Sequence, residues 1–443
     1  MAKTASGSQP SRTLALLACL CLALLALIPV AAGQAQQGAA AFRAFLEALW
    51  PDAQAMGISR ATFDSAFRGV EPDLALPDLV LPGKEVKGQA EFTKTPAQYL
   101  SASYLASLAG QGKAQQAQHA IWLAKIEREL GVQRQFVLAI WGRETAYGTY
   151  RSNYYIIRAL VTQAYLGRRK DMFRIELIYA LKMLQDGVRT RESLTGSWAG
   201  AMGLPQLMPS EFYTLAYDLD GDGRKDIWGS VADALGSAAN QLRAKGWVSG
   251  QSWGYEVRPK DVSCLLEGPD NARPLRDWVK LGVTRIGGDF PAQSLDQQAF
   301  ILTPAGAHGP AFLALENFLV IKRYNMSDLY ALFVGNLGDR IAGGGEFRTP
   351  WAEIKQLSAK GIEEIQDGLQ KLGYAVAKID GKAGMNTRAL IGAYQKANSL
   401  EIDCWPTQAL LSHVRAKAPV KGADAGKAGV APVPGGRDRR GEP

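Results

Sequence analysis

The amino-acid sequence predicts a mainly α-helical protein with two folded units: a large helical domain that carries short inserted segments, and a small helical domain near the C-terminus. From about residue 40 to residue 342, apolar residues recur at helical spacing with few alternating runs. The 443 residues exceed one ordinary core, since domains average about 150 residues. A glycine-rich break at 343–345 then precedes a second helical stretch over 358–415.

Residues 1–36 have the pattern of a secretory signal peptide. Basic residues and no acids precede an apolar run from Leu14 to Val30, and small residues with Ala35 as a cleavage position follow. A buried helix or a retained anchor is the alternative. The stretch that ends at Cys19 also resembles a lipoprotein processing box, which would anchor the mature chain to the membrane through a lipid. We rank soluble export first, because the apolar run continues well past Cys19.

Composition and charge narrow the function classes. The chain has 47% hydrophobic and 21% charged residues, which is typical of a soluble globular protein. Its net charge of +8 falls by two when Lys3 and Arg12 leave with the leader, so the mature chain stays basic. A basic surface suits nucleic acid, anionic lipid or an anionic polymer. Export argues against nucleic acid and leaves the cell wall or the membrane surface.

Cysteine and histidine usage argues against a disulfide framework and against a zinc motif. Two of the four cysteines lie in the leader, which leaves Cys264 and Cys404. They could pair in an oxidising compartment, but they fall in different predicted domains, so we expect two independent small apolar residues. None of the three histidines is near another histidine or a cysteine in sequence.

Three helices and one irregular region organise the large domain. Apolar spacing predicts helices from Gln115 to Leu130, from Gln133 to Thr145 and from Asp171 to Gln185. From Trp253 to Pro304 the spacing breaks into short segments with scattered Gly and Pro. This break indicates loops or short strands inserted in the helical body.

Glu144 is the first candidate for catalysis. On a helix, Phe136, Ile140 and Glu144 are four residues apart, so the carboxyl group continues a stripe that otherwise faces the core. Burial raises a carboxyl pKa, which suits a general acid near neutral pH. The alternative is a glutamate at a helix end that faces solvent or pairs with Arg143, and spacing alone favours that alternative.

A second unusual segment runs from Ser197 to Ser210 and is rich in small residues. Small residues let the backbone approach a ligand closely, and Gln206 offers a donor and an acceptor to an acetamido or hydroxyl group. The alternative is a packed turn between helices.

A third segment is rich in aspartate and fits the start of an EF-hand calcium loop. The acids Asp218, Asp220, Asp222 and Asp226 take positions one, three, five and nine, with glycine at position six. The glutamate expected at position twelve is replaced by Gly229. The alternative is an Asp-rich turn that binds nothing, and any calcium would be structural rather than catalytic.

The small C-terminal unit follows a linker at 343–357 and spans 358–415. Helical stretches from Ile362 to Leu372 and from Thr387 to Ala397 are separated by a turn at Asp380-Gly381. From residue 416 the tail holds almost nothing apolar to bury, so we expect residues 416–443 to be disordered.

These motifs together resemble a known family. Trp-Gly-Arg-Glu-Thr around Glu144, the segment from Ser197 to Ser210 and Arg323-Tyr324-Asn325 are similar to successive motifs of the membrane-bound lytic transglycosylase B family, glycoside hydrolase family 103. The match covers most of residues 40–342. It implies a lysozyme-like helical domain. The C-terminal unit resembles the three-helix peptidoglycan-binding domain, apart from Cys404-Trp405-Pro406, where that motif has Gly and an aromatic residue before Pro.

The resemblance implies roles for individual residues. Glu144 matches the catalytic glutamate, and Ser197 and Asn325 match the residues that position it. Asp233, from the next helix, matches the missing calcium ligand. Gln241 stands where the family's characterised member has a cleft tyrosine, so a sugar-stacking contact is not expected there. The remaining matches are to sugar-binding or cleft residues, namely Gln206, Tyr324, Tyr330 and Tyr99.

The implied function is cleavage of the β-1,4 bond between N-acetylmuramic acid and N-acetylglucosamine in peptidoglycan, with a 1,6-anhydro product and no cofactor in the chemistry. Glu144 would first protonate the bond and then take the proton of the muramyl 6-hydroxyl, so no second carboxylate is needed. The alternatives are a muramidase that hydrolyses the same bond and an inactive peptidoglycan-binding scaffold. The expected setting is the periplasm of a Gram-negative bacterium, as a monomer without nucleic-acid partners, or at the membrane if Cys19 is lipidated.

Overall fold

The structure, a computed structural model, describes residues 37–81, 94–259, 264–355 and 357–418. The predicted signal peptide, with Cys19, and residues 419–443 of the predicted tail lie outside these ranges. The predicted mainly α fold with a small helical C-terminal domain is confirmed. None of the described helices is long and apolar enough to cross a membrane.

Helices dominate the large unit. The predicted helices from Gln133 and from Asp171 are present as α7 and α9. Its helices are α1 (37–47), α2 (Trp50–Ala55), α3 (Arg60–Phe67), α4 (Pro96–Tyr99), α5 (Ala102–Gln118), α6 (Ala120–Leu130), α7 (Arg134–Thr145), α8 (Ile156–Leu166), α9 (Lys170–Gln185), α10 (Pro209–Leu215), α11 (Val231–Ala244), α12 (Leu275–Lys280), α13 (Glu316–Asn325) and α14 (Asp328–Ile341).

One helix prediction is confirmed only in part: a helix ends at Leu130 as predicted, but the stretch from Gln115 is broken at His119. The backbone of His119 has φ −109° and ψ 24°, so α5 ends there and α6 begins. Its ring packs edge-on against Trp141 at 5.7 Å, and its Nε2 lies 3.1 Å from Gln115 Oε1. The break is accompanied by this tertiary contact with Trp141 and local contact with Gln115, although the apolar spacing continues through His119.

A small sheet interrupts the helices where the sequence indicates short segments. Five antiparallel strands form it in the order β4-β6-β7-β3-β5. Alternate residues of β6 and β7 face two cores: Phe300 and Phe312 pack with α7 and α14, and Ile301 and Leu313 pack around Trp278. The strands are β3 (Gly254–Pro259), β4 (Arg273–Pro274), β5 (Val283–Arg285), β6 (Gln298–Leu302) and β7 (Ala311–Ala314), while β1 (Tyr154–Tyr155) pairs separately with β2 (Thr195–Gly196).

Two larger apolar cores lie in the helical part of the large unit, in addition to the smaller core around Trp278. One surrounds α7 and α14, and the other surrounds α8 and α9. The segment after β2 joins them, since Leu204 belongs to the first core and Met202 and Leu207 to the second. The end of α7 is fastened to this segment, because the Thr145 hydroxyl donates a hydrogen bond to the Leu204 carbonyl (3.2 Å).

The small C-terminal domain consists of three helices around their own core. The two predicted stretches are present, and α17 continues to Lys417, so the first two residues of the predicted tail are helical. Apolar residues of all three helices form the core. The helices are α15 (Ala359–Lys371), α16 (Met385–Ala397) and α17 (Gln408–Lys417).

The prediction that Cys264 and Cys404 act as independent apolar residues is wrong, because they form a disulfide. Their Cα atoms are 6.2 Å apart across a sequence separation of 140 residues. Gly392 makes room for the bond, since a Cβ at that position would lie 2.4 Å from Cys404 Sγ. The disulfide therefore joins the sheet region of the large unit to the small domain, a pairing that sequence alone could not assign.

We expect the disulfide to contribute substantially to stability. Closing so long a loop restricts the unfolded chain, so replacing both cysteines with alanine should lower the free energy of unfolding by about 2–5 kcal/mol. Urea unfolding of the leaderless chain, with and without dithiothreitol, measures this. The double variant is the control and should not respond to dithiothreitol. Identical midpoints for the oxidised and reduced wild-type chain would contradict the expectation.

Candidate active site

Glu144 lies in the last turn of α7, at the border between the two cores. Ile140 and Phe136, respectively one and two turns earlier, are buried, whereas Glu144 is half-buried. The helix ends directly after it, where Ala146 has φ 47°. Glu144 therefore continues the apolar stripe, as the spacing predicts. Its half-buried carboxyl group lies where a ligand can reach it.

Tyr330 is a hydrogen-bond partner of Glu144. Its hydroxyl donates to Glu144 Oε1 at 2.5 Å. Burial and the charge of Glu144 raise the pKa of Tyr330 well above its ordinary value. The phenol therefore stays protonated over the whole physiological range and remains a neutral donor to the carboxylate.

A second tyrosine packs beside the first. The rings of Tyr324 and Tyr330 lie nearly parallel, 6.1 Å apart and 15° between planes. The Tyr324 hydroxyl donates to the carbonyl of Pro205 (2.6 Å), which ties α13 to the segment after β2. Burial and the charges of Glu144 and Glu211 raise the pKa of Tyr324 well above its ordinary value. Tyr324 thus holds the backbone at Pro205 in place, while Tyr330 donates a hydrogen bond to the carboxyl group of Glu144.

Arg143 brings a positive charge close to Glu144. Its Nη2 donates to the Tyr99 hydroxyl (2.7 Å), and its guanidinium lies 5.1 Å from the ring centroid of Phe333. Although burial opposes the charge, Tyr99, Glu144 and Tyr330 hold the pKa of Arg143 above its ordinary value. Tyr99, predicted to line the cleft, is itself buried, and it orients Arg143.

Ser197 and Gln206 lie on the segment after β2. The Ser197 hydroxyl accepts a hydrogen bond from the Ala201 N–H (2.9 Å) within its own turn. Gln206 has φ 56°, a left-handed conformation that is costly for a residue with a side chain, and its Nε2 donates to the Gly203 carbonyl (2.9 Å). Gln206 also lines a cavity of about 190 Å³ together with Thr145, so it borders open space beside α7.

Part of the small-residue pattern serves packing rather than ligand approach. Gly203 has φ 68°, and a Cβ there would lie 2.6 Å from the Ile227 carbonyl oxygen. A Cβ at Gly200 would lie 2.4 Å from Leu160 Cδ2. Both glycines are therefore required by close contacts inside the protein, as the alternative of a packed turn supposes.

Asn325 and Gln241, which the family resemblance singles out, lie in opposite environments. Asn325 is exposed at the C-terminal end of α13. Gln241 is buried in α11, and its Nε2 donates to Glu211 Oε1 (3.0 Å). Lys245 Nζ lies 3.2 Å from that same oxygen, so this second carboxylate near Tyr324 is already neutralised by a cation.

Four of the five predicted calcium ligands converge. Oxygens of Asp218, Asp220, Asp222 and Asp233 lie within 4.8 Å of one another. Asp226 is directed elsewhere, since its Oδ1 accepts hydrogen bonds from the backbone of the following turn at 3.0–3.1 Å. Hard oxygen donors at this density suit Ca²⁺, and four carboxylates this close repel one another without a cation.

The structure thus brings Glu144, Tyr330 and Tyr324 into one cluster. From the sequence, pairing of Arg143 with Glu144 is the alternative to a catalytic role for Glu144. In the structure, Arg143 instead contributes a positive charge to this cluster. The signal was available, since an arginine next to the candidate acid in a buried helix needs a buried partner of its own.

Comparison with known proteins gives a consistent result. A family model described as the transglycosylase SLT domain matches residues 41–339, and a peptidoglycan binding domain model matches residues 358–412. Membrane-bound lytic murein transglycosylase B of Escherichia coli (strain K12) is 35% identical over 218 residues, which is 48% of this chain and 58% of that protein. The match therefore spans less than two thirds of the length of this relative.

Solved structures extend the similarity over more of the chain. SltB3 from Pseudomonas aeruginosa, in complex with NAG-anhNAM-pentapeptide, is 41% identical with a TM-score of 0.77, and the match covers 84% of this chain and 99% of that one. The soluble lytic transglycosylase SltB1 from Pseudomonas aeruginosa is 30% identical with a TM-score of 0.56, over 67% and 98% of the two chains.

Proposed function

Because the chain belongs to the transglycosylase SLT domain family, we propose that it is a lytic transglycosylase that cleaves the bond between N-acetylmuramic acid and N-acetylglucosamine in peptidoglycan. The observation that carries the proposal is the hydrogen bond from Tyr330 to Glu144 at the end of α7. It identifies a half-buried carboxyl group held by a neutral donor. The complexes of the similar SltB3 with NAG-anhNAM-pentapeptide and NAG-NAM-pentapeptide support this substrate class.

In the first step Glu144 acts as the acid. Its proton moves to the glycosidic oxygen, the bond between that oxygen and muramyl C1 breaks, and positive charge develops on the sugar ring. The carboxylate that remains is stabilised by the Tyr330 hydroxyl and by the nearby charge of Arg143. Both groups therefore favour the form of Glu144 that the second step needs.

In the second step the same carboxylate acts as a base. It accepts the proton of the muramyl 6-hydroxyl while that oxygen forms a bond to C1, which closes the 1,6-anhydro ring and restores Glu144. No water is consumed. The substrate supplies the nucleophile, so a second carboxylate is unnecessary, and Glu211, held by Lys245 and Gln241, is not free to serve as one. Lytic transglycosylases need no cofactor for this chemistry.

The remaining predicted residues fit a glycan cleft in this proposal. Gln206 borders the cavity beside α7 and would bind a sugar substituent, while Ser197 and Asn325 would orient the acid or the substrate. The peptidoglycan binding domain would hold the wall near the cleft. A basic mature chain suits an anionic polymer.

We further propose that the protein works as a monomer in the periplasm of a Gram-negative bacterium, after export by the segment at 1–36, with lipid anchoring through Cys19 as the alternative. Membrane fractionation of the wild-type chain and a Cys19→Ser variant separates the two. If the chain is anchored through Cys19, the substitution moves it out of the membrane fraction; if it is released after export, the substitution changes nothing.

We also propose that the four converging aspartates bind a structural Ca²⁺. Asp218, Asp220 and Asp222 lie in the loop between α10 and α11, and Asp233 lies in the first turn of α11, so a bound ion would tie the loop to the helix that carries Gln241. The role would be structural because the proposed reaction uses Glu144 and Tyr330, which lie outside this cluster of aspartates.

The central test replaces Glu144 with glutamine. Glutamine keeps the size and polarity but cannot transfer the proton, so clearing of purified sacculi should fall by about 10²–10⁴-fold. Wild-type digests should contain anhydromuramic ends by mass spectrometry. Reducing-end muramic acid without anhydro product would instead indicate a muramidase. Equal clearing by both proteins would refute the catalytic assignment.

A tyrosine pair separates the two aromatic roles. Tyr330→Phe removes the hydrogen bond to the carboxylate, so kcat on soluble glycan fragments should fall by about 10-fold or more with little change in KM. Tyr324→Phe is the matched control, because its hydroxyl contacts a carbonyl and not Glu144, and its kcat should fall less. If the two variants lose the same kcat, the special role of Tyr330 is wrong.

Calcium should stabilise the fold without changing the chemistry. At a Ca²⁺ concentration about 100 times Kd, binding adds about 2.7 kcal/mol, which for a folded chain of this length corresponds to a rise in Tm of roughly 3 °C. Differential scanning fluorimetry after EDTA, with Ca²⁺ or Mg²⁺ restored, measures it. Asp222→Asn should abolish the response. A Tm that is unaffected by Ca²⁺ would refute the proposed site.

A further inference from the structure

The small C-terminal domain inserts the first turn of α16 into the large unit. Met385, the first residue of α16, is buried in the same core as Tyr99 and Tyr330. Its backbone N–H donates to Asp328 Oδ2 at 3.0 Å. A domain that only held the wall could hang on a flexible linker, whereas this one contributes to the core beneath the catalytic cluster.

Arg388, one turn along α16, is buried between two carboxylates of the large unit. Its Nε and Nη2 donate to the two oxygens of Glu267 at 2.9 and 2.6 Å, and Nη2 lies 3.4 Å from Asp328 Oδ2. The exposed fractions of the three side chains are 2%, 0% and 7%. Removing this many charges from water is costly, so the network stabilises the attachment of the domain by less than its number of hydrogen bonds suggests.

Asp328 connects Arg388 to both tyrosines of the active site. It is the first residue of α14, two residues before Tyr330, and its Oδ1 lies 2.7 Å from Lys322 Nζ on α13, two residues before Tyr324. Burial opposes its charge, but Arg388 and Lys322 hold the pKa of Asp328 below its ordinary value, so it remains an anion. One carboxylate thus joins the helices that carry the two rings.

We propose that Arg388, a residue of the peptidoglycan-binding domain, is a positioning residue for the cleavage reaction: through Asp328 it fixes the start of α14, and thereby the Tyr330 hydroxyl against Glu144. The proposal rests on the proposed function, because it assigns Arg388 to that reaction. The domain therefore has two roles: it binds the wall, and it positions the Tyr330 hydroxyl that donates to Glu144.

The test is a double-mutant cycle on the full leaderless chain. Arg388→Lys keeps the charge but cannot span Glu267 and Asp328 with a planar fork. It should lower kcat for a short soluble glycan fragment by about tenfold, with KM unchanged. In a Tyr330→Phe background the same substitution should lower kcat by less than about twofold, because its effect passes through Tyr330.

Controls separate positioning from loss of structure. Arg415→Lys is the matched exchange in an exposed ion pair of the same domain, and it should leave kcat unchanged in both backgrounds. Thermal unfolding verifies that each variant is folded. If Arg388→Lys does not fold, Asp328→Asn, which keeps the side-chain size, takes its place in the cycle with the same expected coupling.

The outcomes discriminate sharply. An equal fold-loss of kcat in both backgrounds, a rise in KM alone, or unchanged activity would each overturn the positioning role. Total bond cleavage is followed separately from product mass. Hydrolytic products would overturn the proposed reaction while the cycle would still report whether Arg388 acts through Tyr330.

Discussion

The hydrogen bond between Tyr330 and Glu144 is the interaction on which the rest of the site depends. A carboxyl group that must both give and take a proton needs a partner that stays neutral, and burial keeps the phenol in that form. The partner must also keep its place, which requires α7 and α14 to pack rigidly. They do so in one core that also receives β6, β7 and the start of α16.

Sequence could predict the local parts of this arrangement. The helix from Gln133 to Thr145 follows from apolar spacing, the short strands after Trp253 follow from its loss, and the family follows from motifs around Glu144; all three are confirmed. The apolar spacing also places Glu144 at the end of a buried stripe, and the structure agrees. Its catalytic role, however, entered through resemblance and not through spacing.

What sequence could not predict depends on contacts between distant residues. The break at His119 requires knowledge of Trp141, the disulfide requires Cys404 to dock beside Cys264, and the burial of Arg388 requires both domains at once. Each residue looks ordinary in its own window. Arginine in particular is expected at the surface of a small helical domain, and only the docked carboxylates explain its burial.

The disulfide gives the small domain a second covalent attachment to the large unit. A module joined by one linker can swing, but a module joined at both its start and its far side cannot turn about either point alone. On the proposed function, the domain that binds the wall and the unit that cleaves the glycan then move as one body. A glycan strand bound by the small domain would reach Glu144 at a fixed distance from its binding place. That distance would then set the position of the cleaved bond.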